Sequence, residues 1–355
     1  ASCLVGSEMC IRDSRIVRLG WGWFWLLAAV AIIAALKTPL AHSELGATRW
    51  IKLGPVSFQA AEPIKAAIII FFAYYVSYWG LNRWYNQLLA CLLAIALLGF
   101  LFFFSNNLST VIVLFCICAV IILSSVKKPD LYWYFLLGLA LIIIAAIFVT
   151  VYLLMHQGAE NFRFVRIRAW LHPEEYAADE GLQAMQARYA IGAGGFWGKG
   201  LGQSLIKFKL SYSYNDFILA IICEELGVFG VIVMMTLFGY LLYRIYKIAQ
   251  NAWDIEGKVL AIGVFTQIAL QLLINVMVVT SVIPTTGVTL PFFSAGGTSV
   301  VFLLAELGMV LNVDKYAKER RFFEEAERHV AQMEQRGGIG AAGWRRRLDS
   351  ARTRR

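Results

Sequence analysis

About eight apolar runs, near residues 20–37, 63–80, 86–104, 109–125, 131–155, 216–243, 258–282 and 291–313, alternate with polar stretches along the chain. At 1.5 Å of rise per residue, runs of this length approach the roughly 30 Å of a bilayer's hydrocarbon core, so each predicts a membrane-spanning helix. The pattern predicts an all-α fold, a polytopic transmembrane helix bundle whose membrane domain covers 15–313. Three interruptions exceed a simple turn: 38–62, the large polar loop 156–215, and the run from Pro284 through Gly287, Pro291, Ser294, Gly296 and Gly297 to Ser299. Irregular backbone such as this last run cannot face lipid, because its peptide groups need protein or water as partners. It marks a place where a polar or amphiphilic ligand meets the membrane part of the fold. Beyond Asn312 the tail, 314–355, reads as a charged amphipathic helix from Lys315, then a Gly-broken segment and a basic end from Arg345 to Arg355. Such an end touches anionic lipid.

Composition changes the picture little, and charge adds direction. With 59% hydrophobic and 15% charged residues, a soluble domain is excluded. A net charge of +9 would suggest nucleic acid in a soluble chain, but here the cations sit in short loops and in the tail. Arg12, Arg15, Arg18, Arg83, Lys127, Lys128, Arg244, Lys247, Lys258, Lys315, Lys318, Arg320 and Arg321 share one side if the spans alternate, which the positive-inside bias makes the cytoplasm. No nucleic acid partner is expected. The expected location is the bacterial inner membrane, multi-pass, with a cytoplasmic C-terminus and extracytoplasmic chemistry on 38–62, 156–215 and 284–290. None of the six cysteines lies in the long loop, so no disulfide is expected there. Cys116 and Cys118 are two positions apart and diverge by about 200° on a helix, which does not suit a shared metal.

The external side limits the reaction. The segment around Gly198-Lys199-Gly200 lacks the Ser or Thr of a phosphate loop, and Ala193 replaces its first glycine, so ATP is a poor substrate. The chain has no Asp-x-Asp pair, and His42, His156, His172 and His329 lack ligand spacing; no metal site is expected. A substrate that brings its own activated group on a lipid fits better. The glycines either permit tight turns or contact a diphosphate. External cations, Arg49, Lys65, Arg163, Arg166, Arg168, Lys207 and Lys209, are solvated loop charges or a set converging on an anionic diphosphate. Glu224 and Glu225 sit inside the sixth apolar run, where an acid is paired or lines a cavity. Asp216, beside Asn215 at a helix start, reads on residues alone as a capping or dipole-complementing group.

Several motifs in collinear order resemble one family. They are Arg49-Trp50-Ile51-Lys52-Leu53-Gly54 leading to Gln59, Glu62 and Lys65, the turn at Asn107, Gln183 and Gln186 leading to Gly192–Ser204, Asn215-Asp216-Phe217-Ile218, Glu224-Glu225-Leu226-Gly227, and Pro284–Ser299. Together they are similar to the shape, elongation, division and sporulation (SEDS) proteins FtsW, RodA and SpoVE, and Thr286-Gly287-Val288-Thr289-Leu290-Pro291 leans towards the FtsW and SpoVE form. The resemblance implies a peptidoglycan glycosyltransferase that polymerises lipid II, the undecaprenyl-diphosphate-linked disaccharide-peptide, into β-1,4 glycan during cell division. It implies Asp216 as general base of an inverting reaction. It further implies Arg49, Lys65, Arg166, Gln203, Lys207, Ser294, Gly296 and Gly297 as substrate-binding residues, with Glu224 and Glu225 as supporting acids. No cofactor is required, though a divalent cation, Mg or Mn, could assist. The implied partners are a class B penicillin-binding protein and other divisome or elongasome proteins.

The chain also departs from the family pattern. Members have ten spans, and two helices are missing before the Arg49 segment, so an N-terminal truncation is expected. Residues 1–14 resemble a non-native leader. Ala60 and Ala61 stand for Pro-Ser, Asn107 for Asp, Ala295 for Tyr, and Ser211–Tyr214 for a stretch containing Pro-Glu. Two other functions stay open at this stage: a transporter of lipid-linked precursor, since broken helices and intramembrane acids also suit transport, and a non-catalytic division scaffold.

Overall fold

The computed structural model describes residues 21–38, 41–44, 47–53, 56–105, 107–126, 162–175, 180–205, 216–294, 297–335 and 343–345. A short apolar helix, α1 (Trp21–Ala35), precedes a three-stranded antiparallel sheet of β1 (Ala41–Glu44), β2 (Ala47–Leu53) and β3 (Val56–Gln59). The helices α2 (Ala61–Trp79), α3 (Trp84–Ser105) and α4 (Leu108–Ser125) follow. Next come α5 (Phe162–Leu171) and α6 (Glu180–Gly194), and then α7 (Ile218–Asn251), α8 (Ile255–Val279) and α9 (Gly297–Gln335). Among the described residues α3, α4, α7, α8 and α9 are each long and apolar enough to cross a membrane. The fold is a helical membrane bundle. Every expected span coincides with a helix except 131–155, which lies outside the described residues, as do the leader 1–14 and the basic end 346–355.

Three features differ from the expectation. The segment 38–62 holds a small sheet, ordered β1-β2-β3, with Trp50 opposite Gln59 and Ile51 opposite Phe58. Two helices, α5 and α6, lie within the loop 156–215. The last helix begins at Gly297 rather than near 291, because Pro291–Ser294 forms a turn in which Ser294 Oγ accepts from the Leu290 amide at 2.8 Å.

Local chemistry explains the helix ends. Asn107 caps α4 by accepting from the Thr110 amide at 3.5 Å, and Asp254 caps α8 by accepting from the Gly257 amide at 3.4 Å. In α3 the large residues Trp84, Leu88, Leu92, Ile95 and Phe103 are exposed, while Ala90, Ala94, Leu97, Leu98 and Leu101 are buried. Apolar surface on both faces is what a helix between lipid and bundle needs, and the small residues face inward where backbones approach. The bundle interior is conversely rich in polar groups: Glu62, Lys65, Glu224, Gln267, Gln271, Asn275 and Glu306 are all buried.

Candidate functional site

Alternation of the helices puts the sheet, the α3–α4 turn, the start of α7, the end of α8 and the start of α9 at one end of the bundle. The segment 194–205, which carries Gln203, docks against α7 because that helix is interrupted. Gly227 has φ 66° and ψ −167°, a conformation open to glycine alone, and it breaks the helical ladder two turns after Ile218. The break frees the carbonyls of Glu224 and Glu225 and the amides of Val228 and Phe229. The segment 194–205 satisfies all four: Lys199 N donates to Glu224 O (3.0 Å), Gly200 N to Glu225 O (2.9 Å), Val228 N to Gly195 O (3.1 Å) and Phe229 N to Phe196 O (3.1 Å). Irregular backbone at membrane depth is thereby paired with protein, as the absence of water in lipid demands. A Cβ on Gly198 would lie 2.2 Å from Glu225 O, so this glycine serves the docking of backbone on backbone.

A charged latch holds the same segment. Glu224 is 0% exposed and its Oε1 accepts from Lys199 Nζ at 2.8 Å, while Oε2 accepts from Ser204 Oγ and Oε1 also from the Leu205 amide at 3.3 Å. Glu225, about 100° round the helix, is only half-buried, so the two acids have separate surroundings. The Lys199 side chain is 31% exposed and can return to water, whereas Glu224 cannot. Lys199→Met is therefore expected to cost about 3 kcal/mol, since it strands a buried carboxylate, and Glu224→Gln clearly less. Thermal unfolding of the two variants checks the order, and a larger loss for Glu224→Gln contradicts it.

Asp216 lies just before α7 and is half-buried. Its backbone carbonyl accepts from Asn275 Nδ2 at 2.9 Å, and the same nitrogen donates to Val288 O at 2.9 Å. Asn275 thus ties the start of α7 to the Pro/Gly run. On the other flank of that run Trp170 Nε1 donates to Ser281 O at 2.8 Å and Arg188 Nε to Ser281 Oγ at 2.9 Å. Ser281 and Phe292 both have positive φ, 59° and 65°, so one strained non-glycine residue sits just before the run and another within it. Arg166, Trp170, Arg188, Ser281, Ile283 and Thr285 line a narrow cleft at this flank. A carboxylate-bearing residue and two guanidinium groups therefore bracket one short segment.

The predicted binding residues divide. Arg166 faces the cleft, Gln203 is exposed on the docked segment, and Gly297 opens α9. Arg49 lies on β2. Lys207 and Gly296 lie outside the described residues. Ser294 is buried as the turn cap. Lys65 corrects the expectation: it is not among the surface cations but 3% exposed, donating to Glu62 Oε1 at 2.9 Å across one turn of α2. Arg188 and Asn275 were missed. Gln267, Gln271 and Asn275, spaced by four on an apolar helix, carried a readable signal of a polar face turned inward. Asn275→Leu, similar in size but without donors, is expected to cost roughly 1–2 kcal/mol because it leaves two partly buried carbonyls unmatched, measurable by thermal unfolding.

The family model described as "Cell cycle protein", covering FtsW, RodA and SpoVE, matches residues 9–319. The chain is 32% identical over 316 residues to the probable peptidoglycan glycosyltransferase FtsW of Trichlorobacter lovleyi, spanning 87% of this chain and 80% of that one. It belongs to the FtsW, RodA and SpoVE family. The stage V sporulation protein E of Bacillus subtilis is 45% identical over 158 residues, 44% of this chain and 43% of that protein. Two solved structures share the fold. One is a chain of a peptidoglycan synthase complex (TM-score 0.67, 24% identity, 85% of this chain and 82% of that chain). The other is the rod-shape determining protein RodA of Thermus thermophilus (TM-score 0.58, 23% identity, 85% and 80%). The FtsW-type sequence around Thr286–Pro291 is thus the segment that Asn275 joins to Asp216.

Proposed function

We propose that this SEDS protein is a peptidoglycan glycosyltransferase that polymerises lipid II in the membrane, with inversion at the anomeric carbon. The Asp216 carboxylate accepts the proton of the acceptor sugar's 4-hydroxyl as that oxygen attacks C1 of the donor. The C1–O bond to phosphate breaks, undecaprenyl diphosphate departs, and the α-linked donor becomes a β-1,4 glycan. One carboxylate suffices because the diphosphate is already a good leaving group. Its developing negative charge is met by Arg166 and Arg188, whose planar guanidinium groups suit phosphate oxygens. Among the described residues no three His, Cys, Asp or Glu side chains gather to hold a metal. The observation that carries the reading is the Asn275 bridge, which sets Asp216 against the Pro/Gly run in a chain 32% identical to a probable peptidoglycan glycosyltransferase.

The end that carries the sheet lies outside the cell and the C-terminus inside, as the loop cations favour. The chain pairs with a class B penicillin-binding protein that cross-links the product, a reading supported by the fold shared with a peptidoglycan synthase complex. The test is polymerisation of purified lipid II in detergent by the protein with its partner. Glycan strands lost in the Asp216→Asn variant support it. Movement of lipid II across vesicles without polymer would make the protein a transporter, and neither activity would make it a scaffold.

A further inference from the structure

A second charged cluster, unused by the proposed reaction, lies where α2, α8 and α9 meet. Lys65 Nζ donates to Glu62 Oε1 at 2.9 Å on α2, and Gln267 Nε2 on α8 donates to Glu306 Oε2 on α9 at 2.9 Å. Glu306 is within electrostatic reach of both Lys65 and Glu62. All four side chains are at most 3% exposed. Gln267 sits 12 residues before the end of α8 and Glu306 nine residues inside α9, roughly 18 and 14 Å from the end that carries the sheet and so well within the bilayer.

Two observations there point to something bound. Among the described residues two carboxylates face one ammonium, leaving one net negative charge in a buried site, where an uncompensated charge is strongly unfavourable. Independently, Glu62 Oε2, Gln267 Oε1 and Glu306 Oε1 are all buried without a hydrogen-bond donor among the described residues. Buried acceptors are almost always satisfied, and three from one cluster call for a common partner.

We propose that this seam binds one small monovalent cation, a proton or an alkali ion, on the open oxygens of Glu306, Gln267 and Glu62. A divalent ion is a poorer fit, because beside Lys65 it would turn a net charge of −1 into +1. Either monovalent occupant restores neutrality; a proton serves Glu306 and one neighbouring oxygen, an alkali ion all three. A proton resides on Glu306 Oε1 and donates to a neighbouring acceptor; an alkali ion is held by the three oxygens together. Release leaves Glu62 and Glu306 as like charges on packed helices, pushing apart α2, which follows the sheet, and α9, which follows the Pro/Gly run. Occupancy of the seam thus sets how firmly these two helices hold.

The experiment uses the full chain, purified in detergent and in neutral-lipid nanodiscs, with Glu306→Gln and Glu62→Gln variants. Two readouts are taken: the infrared carbonyl band of a protonated carboxylic acid at neutral pH, and thermal stability in sodium or potassium chloride against choline chloride. A carbonyl band present in the parent and lost in Glu306→Gln identifies the proton. A rise in Tm of several degrees with an alkali cation, also lost in that variant, identifies the ion. Under either outcome Glu306→Gln unfolds within about 3 °C of the parent, since the amide removes the unmatched charge and keeps the Lys65–Glu62 ion pair, whereas Glu62→Gln falls by roughly 10 °C because it breaks that direct pair. The proposal is overturned if Glu306→Gln is as damaged as Glu62→Gln, or if neither the band nor a cation dependence is found. No readout depends on polymerisation, so failure here and failure of the reaction assignment are separable.

Discussion

Asp216→Asn is expected to lower glycan polymerisation by about 10²–10⁴-fold, the usual worth of a positioned general base, while the protein still folds and binds its partner. The substitution keeps the side chain's size and leaves the backbone carbonyl that Asn275 holds, so the anchorage of the site survives. What is lost, in the proposed reaction, is the carboxylate that takes the acceptor's proton. A competing role for this residue gives a different number. As a group that complements the dipole of α7, which begins two residues later, its ionised form contributes about 0.3–1 kcal/mol. Asp216→Asn would then lower Tm slightly and leave turnover nearly intact. Measuring polymer yield and Tm on one preparation separates the two, and an active, slightly less stable variant ends the catalytic assignment.

Gly227→Ala is expected to destabilise the protein by roughly 4 kcal/mol and to release the segment 194–205, although it adds only one methyl group. Strain comes from φ 66° with ψ −167°, a region almost closed to residues with a Cβ. A clash adds to it. The new Cβ would stand 2.4 Å from Gly198 N and 2.5 Å from Phe196 O, both backbone atoms that no rotamer change can move. The four hydrogen bonds between this segment and the break in α7 would be lost together, so hydrogen exchange of the Lys199, Gly200, Val228 and Phe229 amides should rise as a unit. Protection unchanged at all four would show that the docked arrangement is not what Gly227 supports. Gly239, on the same helix with open space around its missing Cβ, is the control.

The helices of the bundle were legible because hydropathy over about 20 residues is a strong one-dimensional signal, and the described spans fall where it placed them. The sheet was not read, although Ala47–Leu53 and Val56–Gln59 flank Gly54-Pro55 and carry Thr, Trp, Ile, Val and Phe, residues that favour strands. Their polar neighbours made the segment look like loop. Asp216, Arg166 and the Pro/Gly run could be named from motifs, but not their relation, which depends on Asn275 joining residues 59 and 13 positions away. Lys65 shows the limit most clearly. Its charge and its place near a helix start suggested a surface anion site, whereas the fold turns it inward onto Glu62, three positions before it. The pairing of Lys199 with Glu224 and of Gln267 with Glu306 likewise follows from helix packing that no local pattern encodes.

The length of α9 has a mechanical consequence. It runs for 39 residues, about 58 Å, from Gly297 beside the Pro/Gly run to Gln335 in the charged tail. About two thirds of the way along, the side chain of Arg321 donates to the carbonyl of Asn251, the last residue of α7. Leu303, Glu306 and Val310 are buried nearer its start, so the inner part of the rod is fixed in the bundle while the outer part projects beyond it. An unbroken helix of this kind resists stretching, so any shift along its axis at Gln335 is carried whole to Gly297.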